Sequence, residues 1–193
     1  MTRRVPLQLF TLLSLTLALA CNDEVAPTDS GPASLAAAGR SAFGFNGSAR
    51  GFPTGAVRLT GGGSYDPATA SNIIPPETSA VSSGGFDCTD PVAQGPLAGC
   101  QRGEGVRWDT AQLLASTPFK CTGADAAKVA TTGPHTAVLL ADFYRAGDGI
   151  HESFTAQMIV SDGDLAPEIP GTQTLWVQGV GCGLANGHFN GKG

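Results

Sequence analysis

Acid–base and metal chemistry need titratable side chains that can converge, and this chain holds few groups of that kind. His151 and Glu152 follow Asp148, with Asp142 upstream, in a glycine-containing stretch. Such a cluster has the residue types for proton transfer or metal binding. The plainer expectation is a solvated turn whose polar residues keep two strand ends in water. Ser161-Asp162-Gly163-Asp164, with Glu168 four residues on, gathers the oxygen ligands that calcium takes. It lacks the third acidic position of an EF-hand loop and the flanking helices, so a turn is the default. His135 follows the loop signal Thr132-Gly133-Pro134, and neither it nor His188 has an evident partner in sequence. Phosphate-cradling spacing is absent: Gly181-Cys182-Gly183 runs into Leu184-Ala185-Asn186 and misses the third glycine. A nucleophile elbow fails in the same way, because Gly62-Gly63-Ser64-Tyr65 runs into Asp66. No catalytic residue is assigned, and no metal or cofactor is expected.

The thiols say more. There are five cysteines, Cys21, Cys88, Cys100, Cys121 and Cys182. Arg3 and Arg4 open an uncharged run from Val5 to Ala20, which ends in Leu17-Ala18-Leu19-Ala20-Cys21. That ending resembles the lipobox of bacterial lipoproteins. The resemblance implies cleavage before Cys21 and a diacylglyceryl group on its thiol. Other readings compete. An apolar run of this length, broken by Pro6, is short for a membrane span, which needs roughly 20 residues. Ala18-Leu19-Ala20 fits ordinary signal cleavage, which would leave a free thiol on an exported protein. Thr2-Arg3-Arg4-Val5-Pro6-Leu7 resembles a twin-arginine signal, although Pro6 departs from it. Lipidation of Cys21 removes the odd cysteine and leaves four for two bridges. Four cysteines allow three pairings. The loop TDPVAQGPLAG between Cys88 and Cys100 favours joining those two, which leaves Cys121 with Cys182. No C-x-x-C pair or cysteine–histidine finger spacing suggests zinc.

Three parts follow from this: a signal peptide over 1–20, Cys21 and a tether to residue 40, and one domain over 41–193. The tether is rich in Ala, Pro, Ser, Gly and Asp and has almost nothing to bury. As a flexible coil its 19 residues after Cys21 would span roughly 25 Å. The chain has 11 basic and 16 acidic side chains, a net charge of −5, and loss of Arg3 and Arg4 takes it to −7. With no basic stripe, nucleic acid is excluded as a partner.

Twenty-seven glycines and thirteen prolines punctuate short apolar runs, the pattern of an all-β domain. We expect an antiparallel sandwich or partly closed barrel of about seven to nine short strands. The clearest is 153–161, where Phe154, Ala156, Met158 and Val160 alternate with polar residues and Ile159 is the exception. One face of that strand is expected to be wet. Residues 135–145 are nearly continuous in apolar character and suit a strand covered on both faces. Ala146-Gly147-Asp148-Gly149 would join the two as a hairpin. Val57, Leu59 and Tyr65 share one face, as do Val106, Trp108 and Thr110. Further strands are expected over 41–49, 81–89, 119–122 and 174–182. Residues 124–130 suit one short helical turn, and 110–115 are ambiguous. The glycines at 61–63 and at 179, 181 and 183 suggest bulges or side chains lying over bare backbone; a ligand against the backbone is the alternative.

Phe43-Gly44-Phe45-Asn46, Gly61-Gly62-Gly63, Phe119-Lys120-Cys121, Gly179-Val180-Gly181-Cys182-Gly183 and Phe189-Asn190 form a series of motifs. In these the chain resembles a group of uncharacterised bacterial exported proteins. The resemblance implies an exported β fold and no catalytic assignment. The expected role is therefore a lipid-anchored module of the bacterial cell envelope, facing periplasm or exterior. It would be binding or structural rather than catalytic, with a protein or glycan as ligand. An envelope hydrolase with a loop-borne site is the alternative.

Overall fold

A computed structural model of the chain describes residues 39–51, 55–73, 80–144 and 153–190. These form eleven strands: Ser41–Gly51 (β1), Ala56–Tyr65 (β2), Val81–Asp90 (β3), Arg107–Leu113 (β4), Ser116–Phe119 (β5), Lys128–Thr131 (β6), Thr136–Tyr144 (β7), Ser153–Ser161 (β8), Leu175–Val177 (β9), Gly181–Gly183 (β10) and Ala185–Phe189 (β11). The order in the main sheet is β10-β9-β8-β7-β4-β3-β2-β1-β11, with β10 also paired to β1. Eight strands thus close into an antiparallel barrel, and β11 continues along β1 outside the ring. Consecutive strands pair from β1 to β4 and from β7 to β10; the β5–β6 hairpin is inserted between β4 and β7, and β10 and β11 both pair with β1 rather than with each other. Closure removes most of the exposed edges that an open sheet would carry.

Alternation in the sequence becomes inside and outside. Val57, Leu59 and Tyr65 are buried while Arg58 and Thr60 are exposed; Ala156, Met158 and Val160 are buried opposite exposed Thr155. The interior is filled by aromatic and aliphatic side chains, among them Phe43, Phe45, Phe86, Trp108, Leu139 and Phe143. Phe45 lies against Trp108, and Phe86 meets Phe143 edge-on with 5.0 Å between ring centres. Val92, Leu97 and Cys100, on the loop closed by the Cys88–Cys100 disulfide, belong to the same core.

Trp108 explains the glycine run. Its indole is fully buried, and Nε1 donates to Thr60 O at 2.9 Å. A Cβ on Gly61 would stand 2.5 Å from Trp108 Cζ2, and one on Gly84 would collide with Thr60 O. The β2–β3 pairing is interrupted between Leu59↔Phe86 and Gly62↔Ser83. The indole therefore takes up the carbonyl that this interruption frees, over backbone kept bare by glycine.

A second apolar layer lies outside the barrel. Val138, Ile159, Trp176 and Cys182 stand side by side across β7, β8, β9 and β10. They pack with Leu114, Phe119, Cys121 and Ala130 from β5–β6 and the segments beside it, and with Ala166 from the loop after β8. The Cys121–Cys182 disulfide, with Cα atoms 5.1 Å apart, ties the hairpin segment to β10. Ile159 is therefore one member of an outward apolar row, and the wet face expected for β8 is covered over its second half.

Other expectations are corrected. Residues 124–130 form no helical turn: Ala124 N donates to Cys121 O in a turn, and Lys128–Thr131 is strand β6. The strand expected over 119–122 lies over Ser116–Phe119 instead, because Thr122 and Gly123 turn the chain at the disulfide. The run 174–182 is two strands, split by the turn that Val180 N closes onto Val177 O. Val106 is 52% exposed rather than inside with Trp108. The ambiguity over 110–115 is a bulge between Thr110 and Gln112, which makes Leu113 the next inward residue.

Candidate functional site

The interior is occupied by side chains, so concave surface must come from outside the barrel. Two clefts flank the Cys121–Cys182 bridge. The larger, about 760 Å³, lies between the end of β1 (Ser48, Arg50, Gly51), the turn at Thr122 and Gly123, the 168–173 loop, and Cys182 to Leu184. Arg50 is cross-strand neighbour to Cys182 and so extends the outward row of Val138, Ile159 and Trp176. Where that row meets the cleft, its residue changes from apolar to cationic. Thr122 Oγ1 donates to Gly51 O at 2.5 Å and closes one end of the cleft. Among the described residues, the Arg50 side chain is exposed and makes no ion pair. The other charged side chain in the wall, Glu168, is paired with Lys128, which holds its carboxyl below the ordinary carboxylate range. Gln173 is fixed at both ends: its backbone N donates to Asp164 Oδ1 and its amide to Gly171 O.

The smaller cleft, about 420 Å³, is more apolar. Phe119 and Trp176 form its floor, with ring centres 6.1 Å apart. Gln94, Lys120 and the glycines at 95, 179 and 181 form its rim. A Cβ on Gly95 would stand 2.5 Å from Gly179 Cα, so these two bare residues let the loop after β3 meet the β9–β10 turn. Both volumes fall within the range of small-ligand sites or close to it.

The residues singled out in sequence do not converge. Cys21, Asp148, His151 and Glu152 lie outside the described residues. Asp142 accepts from Thr155 Oγ1 at 2.6 Å on the outer surface. The three carboxylates of the candidate calcium loop have separate partners. Asp162 meets His135 Nδ1 at 2.8 Å, Asp164 accepts from Ala166 N and Gln173 N, and Glu168 meets Lys128. Among the described residues, no group of three or more His, Cys, Asp or Glu is placed to hold a metal ion. His188, on β11, lies across from Gly44, with its ring over that residue.

Sequence reasoning passed over Arg50, Thr122 and Trp176, which shape the clefts. The available signal was the apolar residues at 138, 159 and 176 on outward positions; it becomes legible only when the register is known. The four cysteines near the clefts and the loop after β3 pair as Cys88–Cys100 and Cys121–Cys182. No protein-family model, curated protein or solved structure matches the chain.

Proposed function

We propose that this is a lipid-anchored protein of the bacterial cell envelope whose barrel is a binding or structural module. The observation that carries the reading is the cysteine pairing. Two disulfides consume Cys88, Cys100, Cys121 and Cys182, so Cys21, the last residue of Leu-Ala-Leu-Ala-Cys, is the one cysteine without a sulfur partner in them. Structural disulfides belong to an exported chain, and a lipidated Cys21 leaves such a chain with no free thiol. Two or more acyl chains on that residue make detachment from the membrane negligible, at about 0.8 kcal/mol per buried methylene.

The barrel then offers a partner its outer surface. The two clefts beside Cys121–Cys182 combine a guanidinium that makes no ion pair among the described residues, hydroxyls and main-chain groups with an aromatic floor. That suits recognition of an anionic protein segment or glycan better than bond cleavage. The test is membrane fractionation of Cys21→Ala in the full chain. The variant should keep residues 1–20 and lose lipid labelling; a variant processed and labelled like the natural chain would defeat the proposal.

A further inference from the structure

Closure of the barrel leaves β11 outside the ring, paired among the described residues with β1 alone. Asn190 N donates to Ala42 O at 2.8 Å, and Ser48 N donates to Leu184 O at 3.1 Å. Even-numbered residues of 184–190 therefore turn their main-chain groups toward β1. Successive residues of a strand turn to opposite sides, so Ala185, Gly187 and Phe189 turn theirs away. Ala185 is already satisfied, because Thr174 Oγ1 donates to its carbonyl at 2.9 Å and accepts from its N–H at 2.8 Å. Gly187 and Phe189 have no such partner among the described residues. Asn186, Gly187 and His188 are exposed. Residues 185–190 contain no Lys, Arg, Asp, Glu or Pro, the residues that usually keep an edge from pairing.

We propose that this edge pairs with the β11 edge of a second copy of the chain, antiparallel and centred on His188. The spacing of the free groups selects the register, and a second copy is the occupant whose own free groups match them one for one. An antiparallel self-pair centred on one residue bonds the residues on either side of it. Centred on His188, Gly187 of each copy exchanges two hydrogen bonds with Phe189 of the other, and all the free groups are used. Centring on Gly187 would instead need the groups of Ala185 that Thr174 already holds. With no Asp, Glu, Lys or Arg in 185–190, no pair of permanently charged side chains is opposed, and the two-fold arrangement closes on itself. So short an interface is weak in dilute solution; on the lipid-anchored reading proposed above, on which this step rests, confinement of two copies to one surface raises their effective concentration.

The register makes the proposal testable with single cysteines in the full-length protein in membranes, under a mild oxidant. His188 of each copy would face its twin in a non-hydrogen-bonded pair, with Cα atoms about 4.5 Å apart, within disulfide reach. His188→Cys should therefore yield a covalent dimer. Asn186→Cys, whose twin would lie about 14 Å away along the strands, should yield roughly tenfold less. Gly187→Pro added to His188→Cys should abolish the cross-link. The N–H that it removes points away from β1, but its Cβ would stand 3.1 Å from Gly44 O, so the double variant is read only with a far-UV spectrum and urea midpoint matching those of His188→Cys. Absence of dimer in His188→Cys, equal cross-linking of both single variants, or adducts of His188→Cys with a different protein would each overturn the proposal.

Discussion

Trp108 and Tyr65 show how single side chains set the interior. The indole needs the bare backbone of Gly61, where a Cβ would meet both Trp108 Cζ2 and Ser83 O within 2.6 Å. Gly61→Ala should therefore destabilise the barrel by about 1 to 3 kcal/mol, the usual range for overpacking, seen as a lower denaturation midpoint in urea. Tyr65 is fully buried and donates to Gly133 O at 2.7 Å. Burial pushes its phenol up from 10 to about 12. The folded state thus keeps the proton that the unfolded chain releases. The associated stability is intact below pH 10 and is lost as pH rises toward 12. A shift of this size corresponds to about 2 to 3 kcal/mol. Tyr65→Phe should flatten that alkaline loss while costing about 1 kcal/mol at neutral pH through the missing hydrogen bond. Unfolding curves of both proteins across this pH range check the sign.

Among the elements, the β5–β6 hairpin depends most on a covalent tie. Its own sheet has two strands, which is marginal in isolation. Its apolar face covers Val138, Ile159 and Trp176, and Cys121–Cys182 fastens it across a separation of 61 residues. Replacing both cysteines by serine should cost about 4 kcal/mol in the chain-entropy picture, against about 3 for the Cys88–Cys100 bridge. Hydrogen exchange should then rise first in residues 116–131. Most of the strands were legible from alternation, β8 residue for residue, and so were both disulfides. The outward row was not, since Ile159 looks like an exception until β7, β8 and β9 are set in register. A partly closed barrel was one of the two forms expected, but its full closure was not legible, for a similar reason. It rests on β10, three residues reading Gly-Cys-Gly, which have no hydrophobic pattern to read. The helical turn expected over 124–130 reflected alanine propensity alone, which lost to hairpin pairing and the disulfide. Of the clefts, only the disulfide between them was visible in advance; Arg50 and Thr122 gain their meaning from strands distant in sequence.

At the scale of the whole molecule, the parts belong together if the chain is exported, oxidised and held at a membrane by Cys21. The barrel interior is filled among the described residues, so the binding surfaces we propose lie outside it, at the clefts beside Cys121–Cys182 and along β11. The most direct measurement is the intact mass of full-length protein extracted from membranes with detergent, with and without reduction and alkylation. The account predicts a chain beginning at Cys21, heavier by a diacylglyceryl group, with four cysteines that become alkylatable only after reduction. An unmodified chain in the soluble fraction, with a free thiol at Cys21, would contradict it.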